Sequence, residues 1–481
     1  MSYRKKTVGF SSKKVWKKKE YNSFSSLIYR PLVIKFIIWW FLFVWWLTVL
    51  GQFFGGAKNV ITNIGKETAK IVAKSSWDAM VKDTLWNINV LLVWYAGEQE
   101  RGWLLTDTVM VASYNPDIGT VTFLSIPRDL YVTYHRWGTG RLNGAYRAKY
   151  IDSWDDHEAG AEYLMEKVSE ITGIYLQYYA FVSFDGFVSY VDELWGVTVD
   201  VPADLVDPYY PDINNGFQTF VVDKWVQDLD GDTALKYARS RKTTSDFSRT
   251  LRQQQIIKAM LDKILGQLSL TNISKARELY GQALDVVKTN ITTREVLSLV
   301  SNIEDEKRFF SFVYTADCDK RYIELTYPGC VLYIWNTADY QWQSVLLPQW
   351  ATPGNINYYK HTKEFAFWVV HNQEFLLEDA PIKVLNGIDK NRAKSQWLPL
   401  EWAATRLAID LKAQAFNIVD IKNHEPKIEK SVVYVQDLQA YDHTIDLLEI
   451  FVDIDEVREY GTWDLWEWIS LILGNDYLLK N

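Results

Sequence analysis

Cysteine is nearly absent: Cys318 and Cys330 are the only two in 481 residues. That excludes a metal centre built on thiolates. The pair is spaced for one disulfide closing a modest loop in an oxidising compartment, and is equally compatible with two reduced thiols. Positive charge is outweighed, 52 Lys and Arg standing against 60 Asp and Glu for a formal net charge of -8. With no long basic track along the chain, a nucleic-acid surface is excluded as the main function. Internal repeats and low-complexity tracts are missing too. At 48% hydrophobic the chain is not disordered, and its length suits two or three domains.

Glycine is sparse in unusual company, 24 Gly standing beside 22 Trp, where Gly alone is normally about 7% of a soluble fold. Several Trp occupy places where a turn favours Gly: Trp94 before Tyr-Ala-Gly, Trp137 in HRWGTG and Trp195 in ELWGV. Aromatic enrichment for stacking on carbohydrate is the functional alternative.

What the chain does have begins with a polar, basic segment over 1–30, expected to be cytoplasmic. PLVIKFIIWWFLFVWWLTVLGQFF follows at 31–54, almost unbroken apolar sequence. As a helix it spans about 30 Å of hydrocarbon. The charge before it puts the N-terminus inside and the main domains outside, a single-pass plasma-membrane protein. A cleaved signal peptide is the competing reading, disfavoured by the long basic segment and the lack of a small-x-small site.

Residues 55–86 read as a helical stalk or first helix. Short apolar runs then take over: 89–95, 108–114 and 120–126, with the turn sequence NPDIGT between the last two. These predict neighbouring strands. Helices are predicted at 159–173 and 182–196, and another in DGDTALKYARSR. The mixture implies a layered α/β domain over 87–303. In 304–380 the runs SFVYTAD, YIELTY, CVLYIWN and FAFWVV suggest a β-containing connecting region. A second α/β unit is expected over 381–481: a strand and turn in PIKVLNGID, a helix at 399–415, strands FNIVDI and SVVYVQ, a helix at 440–451 and a closing strand at 470–476.

The stretch with the most chemistry is YARSRKTTSDFSRTLRQQQ, 237–255. It sets Arg239, Arg241, Lys242, Arg249 and Arg252 against one acid, Asp246. Arg239 and Arg241 share one face of an extended segment, while Asp246, Arg249 and Gln253 share one side of a helix that Ser245 or Asp246 would cap. A helix start beside several guanidinium groups suits phosphate or diphosphate, because the planar fork pairs with two oxygens and stays charged when desolvated. A solvated basic helix face is the plainer alternative. Three earlier segments would complete an anion site: Asp107 in TDT, Arg128 and Asp129 in SIPRDLYV, and Arg141 and Asn143 in GRLNGAY. Asp107 is the candidate Mg2+ ligand, since that ion prefers carboxylate oxygen and retained water.

LTDTVMVASYNPDIGTVTFLSIPRDLYV, RLNGAY, VDELWGVTVDVP and YARSRKTTSDFSRTLRQQQ, in that order, resemble the LytR-CpsA-Psr family of cell-envelope proteins. The tail from VLNG to ILGND resembles the C-terminal domain often attached to it. The resemblance implies a layered α-β-α catalytic domain with a mixed central sheet, plus a smaller α/β C-terminal domain and an N-terminal transmembrane helix. It implies transfer of a glycopolymer from a polyprenyl-diphosphate carrier to a peptidoglycan or other envelope acceptor hydroxyl, with Mg2+ as cofactor. The family's metal-binding Asp falls on Asp107, the PRD arginine on Arg128, the paired arginines on Arg239 and Arg241, the DxxR on Asp246 and Arg249, and the RQ on Arg252 and Gln253. Arg128, Arg239, Arg241, Arg249 and Asp246 are thereby expected in catalysis, and Arg141, Arg252, Gln253 and Asp129 in substrate binding. The further acid that many members carry after the first strand is missing, the chain reading Val93-Trp94-Tyr95-Ala96-Gly97 with Glu98 as the next acid.

Trp195 stands where the family's LGGV turn has its first Gly, and Trp94 where LLG-like sequences have Gly. Some bacterial lineages read UGA as glycine, so Trp94, Trp137 and Trp195 are expected to be glycine positions written in the wrong code. Two other functions are compatible with the same arginines: a polyprenyl-diphosphate hydrolase using water, and a non-catalytic envelope scaffold that binds anionic lipid or polymer.

Overall fold

The computed structural model describes residues 80–97, 103–134, 138–211, 216–240, 246–267, 273–296, 308–318, 323–335, 344–352, 354–389, 403–459 and 469–477. Strands β1 (Ile88–Tyr95), β2 (Thr106–Asn115) and β3 (Thr120–Ile126) form an antiparallel meander where the alternating apolar runs predict it. The NPDIGT turn closes β2 onto β3, with Asn115 Oδ1 accepting from Asp117 N at 3.0 Å and Gly119 in the left-handed region. A short hairpin of β4 (Tyr131–Thr133) and β5 (Thr139–Arg141) follows, then helices α1 (Ala145–Asp152) and α2 (His157–Thr172).

Strand β6 (Tyr178–Ser183) pairs parallel with β1, and α3 (Phe184–Glu193) leaves its carboxyl end. Strands β7 (Val197–Asp200), β8 (Leu205–Pro211), β9 (Phe217–Val222) and β10 (Val226–Leu229) make two small antiparallel ladders. Helices α4 (Gly231–Arg239), α5 (Asp246–Gln267) and α6 (Ile273–Val286) come next, then β11 (Val287–Thr289) and β12 (Arg308–Val313). The central sheet is mixed, in the order β11-β6-β1-β2-β3-β12.

Strand periodicity splits the side chains into two layers. Leu91, Val93, Val109, Val111, Leu124 and Ile126 meet α1 and α2 on one face. Trp94, Met110 and Phe123 meet α3, α4 and α5 on the other. With both faces covered, the strands read as almost continuous apolar runs. Gly231 lets α4 start against α3, because a Cβ there would lie 2.3 Å from the Val188 carbonyl oxygen.

The region after β12 differs from expectation in part. CVLYIWN yields β13 (Leu332–Trp335), paired with β14 (Val345–Pro348). FAFWVV is helical, running from α7 (Lys360–Ala366) into a π-turn at Phe367–His371, and YIELTY contains a 3-10 turn at Ile323–Leu325. A short apolar run reads the same in a buried helix as in a buried strand, which is why periodicity misassigned both. Cys318 and Cys330 form a disulfide with Cα atoms 6.0 Å apart.

Helix α8 (Gln373–Glu378) leads into a second sheet of β15 (Ile382–Asn386), β16 (Ile418–Asn423), β17 (Ser431–Val435), β18 (Ile454–Glu459) and β19 (Ile469–Leu473). Its order is β16-β15-β19-β17-β18, with helices α9 (Ala403–Ala413) and α10 (Asp442–Phe451). One apolar core runs without a break from Leu124 and Val109 under the first sheet to Val384, Leu411 and Leu471 in the second. Glu378 adds a polar tie, accepting at 2.8 Å from Thr444 N in the first turn of α10.

The expected plasma-membrane placement is corrected. Among the described residues no helix is long and apolar enough to cross a membrane. The expected span 31–54 and the basic segment 1–30 lie outside the described residues, as does 55–79 of the expected stalk. Residues 80–86 are turn and irregular structure rather than helix.

Candidate functional site

Strands β1 and β6 run parallel, as do β3 and β12, while β2 runs against its neighbours β1 and β3. The carboxyl ends of β1, β3, β6 and β12 and the start of β2 therefore share one edge of the sheet, the usual place for ligands in α/β folds. β3 and β6 are three strand spacings apart, about 14 Å.

Asp107 is set by a bulge. Trp94 faces Thr108 and Tyr95 faces Thr106, so Asp107 is the extra residue between them, and such insertions re-aim a side chain. Arg128, just past β3, pairs through Nη1 with Asp107 Oδ1. Arg128 Nε lies 3.8 Å from Asp129 Oδ2, and Arg141 Nη1 lies 3.3 Å from Asp129 Oδ1. Asp107, Arg128, Asp129 and Arg141 thus alternate in sign along the rim, each partly exposed. Backbone bonds hold the row: Asn143 N donates to the Arg128 carbonyl at 3.0 Å, and Leu346 N to that of Asp129 at 3.1 Å. Arg141 Nη2 donates to the Ser344 carbonyl at 2.8 Å.

On the β6 side, Arg239 ends α4 with its guanidinium 4.0 Å from the ring centre of Phe184, the first residue of α3. Ser240 follows, its hydroxyl donating to buried Asp207 Oδ2 at 2.7 Å. Helix α5 is seated across the opposite strands. Gln254 Nε2 donates to Ser125 Oγ on β3 and to the Phe312 carbonyl on β12, both at 2.9 Å. Arg249 stands five residues before Gln254 on this helix and is buried.

Arg252 and Gln253 turn inward. Arg252 Nε donates to the Tyr237 carbonyl at 2.9 Å and Nη2 to that of Ser240, while Gln253 Nε2 reaches the Ala238 carbonyl at 3.4 Å. These are carbonyls at the end of α4, which the helix itself leaves without donors. Burial lowers the Arg252 pKa from the usual arginine value, with Tyr237 and Asp207 opposing that shift. Tyr237 is raised, chiefly by the same burial, and its hydroxyl donates to Gln255 Oε1 at 2.9 Å. In this arrangement the pair holds Arg239 in place. Arg241 and the side chain of Asp246 lie outside the described residues, although Asp246 opens α5.

Sequence reasoning missed Gln254, whose role depends on two strands distant in the chain. It also missed Asp185, one of whose oxygens sits 4.0 Å from where a Cβ on Gly97 would lie, at the end of β1 that lacks its own acid. Trp94 packs its ring 4.7 Å from Phe187 beneath this edge. A cavity of about 360 Å3 lies beside β6, its lining mixed: Tyr146, Phe181 and Leu284 stand with His157, Glu158 and Lys288. Another, of about 430 Å3, is remote from the charged rim, between β12 and the second sheet.

The model of the LytR_cpsA_psr family matches residues 57–327, more than half of the chain. The polyisoprenyl-teichoic acid–peptidoglycan teichoic acid transferase TagV of Bacillus subtilis is 30% identical over 245 residues, covering 50% of this chain and 55% of TagV. TagU of Oceanobacillus iheyensis, named for the same transfer, is 31% identical over 210 residues, covering 43% and 58%. The chain spans little more than half the length of these curated relatives. The crystal structure of B. subtilis TagV is 23% identical, with 58% of this chain and 96% of that one covered at a TM-score of 0.43.

Proposed function

Because the chain belongs to the LytR_cpsA_psr family, we propose that it moves a glycopolymer from a polyprenyl-diphosphate carrier to a hydroxyl of a peptidoglycan acceptor. The observation that carries this reading is the shared sheet edge, with Arg128 just past β3, Arg141 at the end of β5, Arg239 at the end of α4 and Arg249 on α5. Guanidinium groups fixed before the reaction stabilise charge as it develops on phosphate oxygens. The acceptor oxygen attacks the phosphorus that bears the glycan. A new P–O bond forms, the bridging P–O bond breaks, and polyprenyl phosphate departs with that bond's electrons. The hydroxyl proton passes to Asp129 or to solvent. Arg252 and Gln253 serve by holding the end of α4.

Mg2+ fits this edge in donor chemistry. Asp107 Oδ2 makes no hydrogen bond to a described residue, its Oδ1 being held by Arg128, and a hard ion takes carboxylate oxygen with water. Asp107 would hold it, and the ion would neutralise diphosphate charge.

The test is turnover of a synthetic polyprenyl-diphosphate glycan with peptidoglycan fragments as acceptor. Arg239→Ala is expected to lose about 10²-fold or more in rate while its unfolding midpoint stays near that of the parent. Parental turnover in that variant excludes the assignment, and product formed only with water would make the chain a hydrolase.

A further inference from the structure

Four tryptophans hold a backbone conformation that belongs to glycine. Trp86, Trp154, Trp195 and Trp350 have φ of 68°, 61°, 61° and 69°. A bulky side chain there is a steric outlier, because its Cβ crowds the backbone. They make up four of the eight non-glycine residues at positive φ among the described residues.

Each sits in a hydrogen-bonded motif that calls for glycine at that position. After α1, Trp154 N donates to the Ile151 carbonyl at 3.3 Å and Asp155 N to that of Tyr150 at 3.0 Å. After α3, Trp195 N donates to Asp192 at 2.9 Å and Gly196 N to Val191 at 2.9 Å. Both are Schellman endings with Trp at the residue that is usually Gly. Trp350 is the third residue of a turn closed by Ala351 N on the Pro348 carbonyl at 3.0 Å, and positive φ there is the type II pattern. Trp86 closes a bulged hairpin, with Asp83 N on Asn87 O at 2.9 Å and Trp86 N on Asp83 O at 3.2 Å, where the left-handed residue is again Gly.

The rings add little in return. They are 61%, 94%, 88% and 76% exposed in chain order. Lys82 Nζ lies 4.9 Å from the Trp86 ring, and the other three have no ring partner among the described residues. Trp368 and Trp94 behave as tryptophan should, buried at 5.6 Å from Phe451 and 4.7 Å from Phe187. Sugar stacking does not account for the four. A stacking platform has no need of a left-handed backbone, and Trp86 and Trp195 lie at the end of the sheet opposite the arginines.

We infer that residues 86, 154, 195 and 350 are glycine in the protein as its own organism makes it, their codons being UGA read as glycine and written here as tryptophan. Of the three positions expected from the sequence, Trp195 is among them, Trp94 has an ordinary strand conformation and a packed ring, and Trp137 lies outside the described residues.

Peptides covering these positions, from the protein purified from its own source, are expected to have the mass of glycine at each, with UGA in the gene. UGG codons, or indole-bearing peptides, overturn the inference. A recombinant chain carrying Trp86→Gly, Trp154→Gly, Trp195→Gly and Trp350→Gly is expected to unfold at a higher urea midpoint than the chain with four tryptophans. A lower midpoint counts against the conformational argument, and peptide masses decide the identity whichever chain folds better.

Discussion

The two sheets use one device for opposite ends. In the six-stranded sheet, Asp107, Arg128, Asp129 and Arg141 collect at the edge where parallel strands finish. In the five-stranded sheet, charge is spread along outer strands in local pairs: Lys422 with Asp420 at 2.6 Å, Arg458 with Glu456 at 2.6 Å, and Lys430 with Asp455. The Arg458 and Lys430 pairs are exposed at both ends and the Lys422 pair at its lysine, and exposed pairs contribute little to stability. The difference teaches that parallel strands supply a place for a site but not its content. The first sheet adds a bulge at Asp107 and a helix, α5, pinned across β3 and β12 by Gln254.

The sharpest way to break this contrast is Arg128→Ala. Transfer is expected to fall about 10²-fold or more, and a rate near the parent's would mean that the rim is ordinary surface. Next comes Arg252→Ala, which strips donors from the buried Tyr237 and Ser240 carbonyls. A loss of about 3 kcal/mol in urea unfolding is expected, and a change below a third of that would remove its holding role. Asp230 caps α4 by accepting from Thr233 N at 2.8 Å, so Asp230→Ala should cost about 1 kcal/mol.

Hydrogen bonds from Thr233 hold the Asp230 carboxyl below its usual pKa. Its contribution is therefore complete at neutral pH, and fades as the pH drops below about 4 and through the folded-state value. Asp230→Asn keeps the cap and should flatten that acid dependence. The smallest effects belong to the second sheet, where Lys430→Ala and Arg458→Ala should leave the midpoint unchanged within error. A clear shift from either would erase the contrast.

Much of the fold was legible because burial on two faces writes itself as apolar runs. Residues 89–95, 108–114 and 120–126 gave three strands within about two residues of their observed ends. Strand β18 left no such trace: as an edge strand with four exposed residues, IDEVRE carries charge where a core strand carries Val. The helical FAFWVV was opaque for the reverse reason, being apolar on every side. At the site, the sequence grouped the arginines but not their orientations. Arg249 and Arg252 are three apart on one helix, yet which of them turns toward the end of α4 depends on carbonyls that only the folded chain brings near.

The unbroken apolar core has a consequence for handling the protein. A chain cut after Ala380 would lay bare Trp368 and Phe375, whose rings pack against Phe451 at 5.6 Å and Phe416 at 5.2 Å. Such a fragment would present a sticky wall to its own copies and clump. Trimming from that side therefore removes part of the support for the first sheet along with the second.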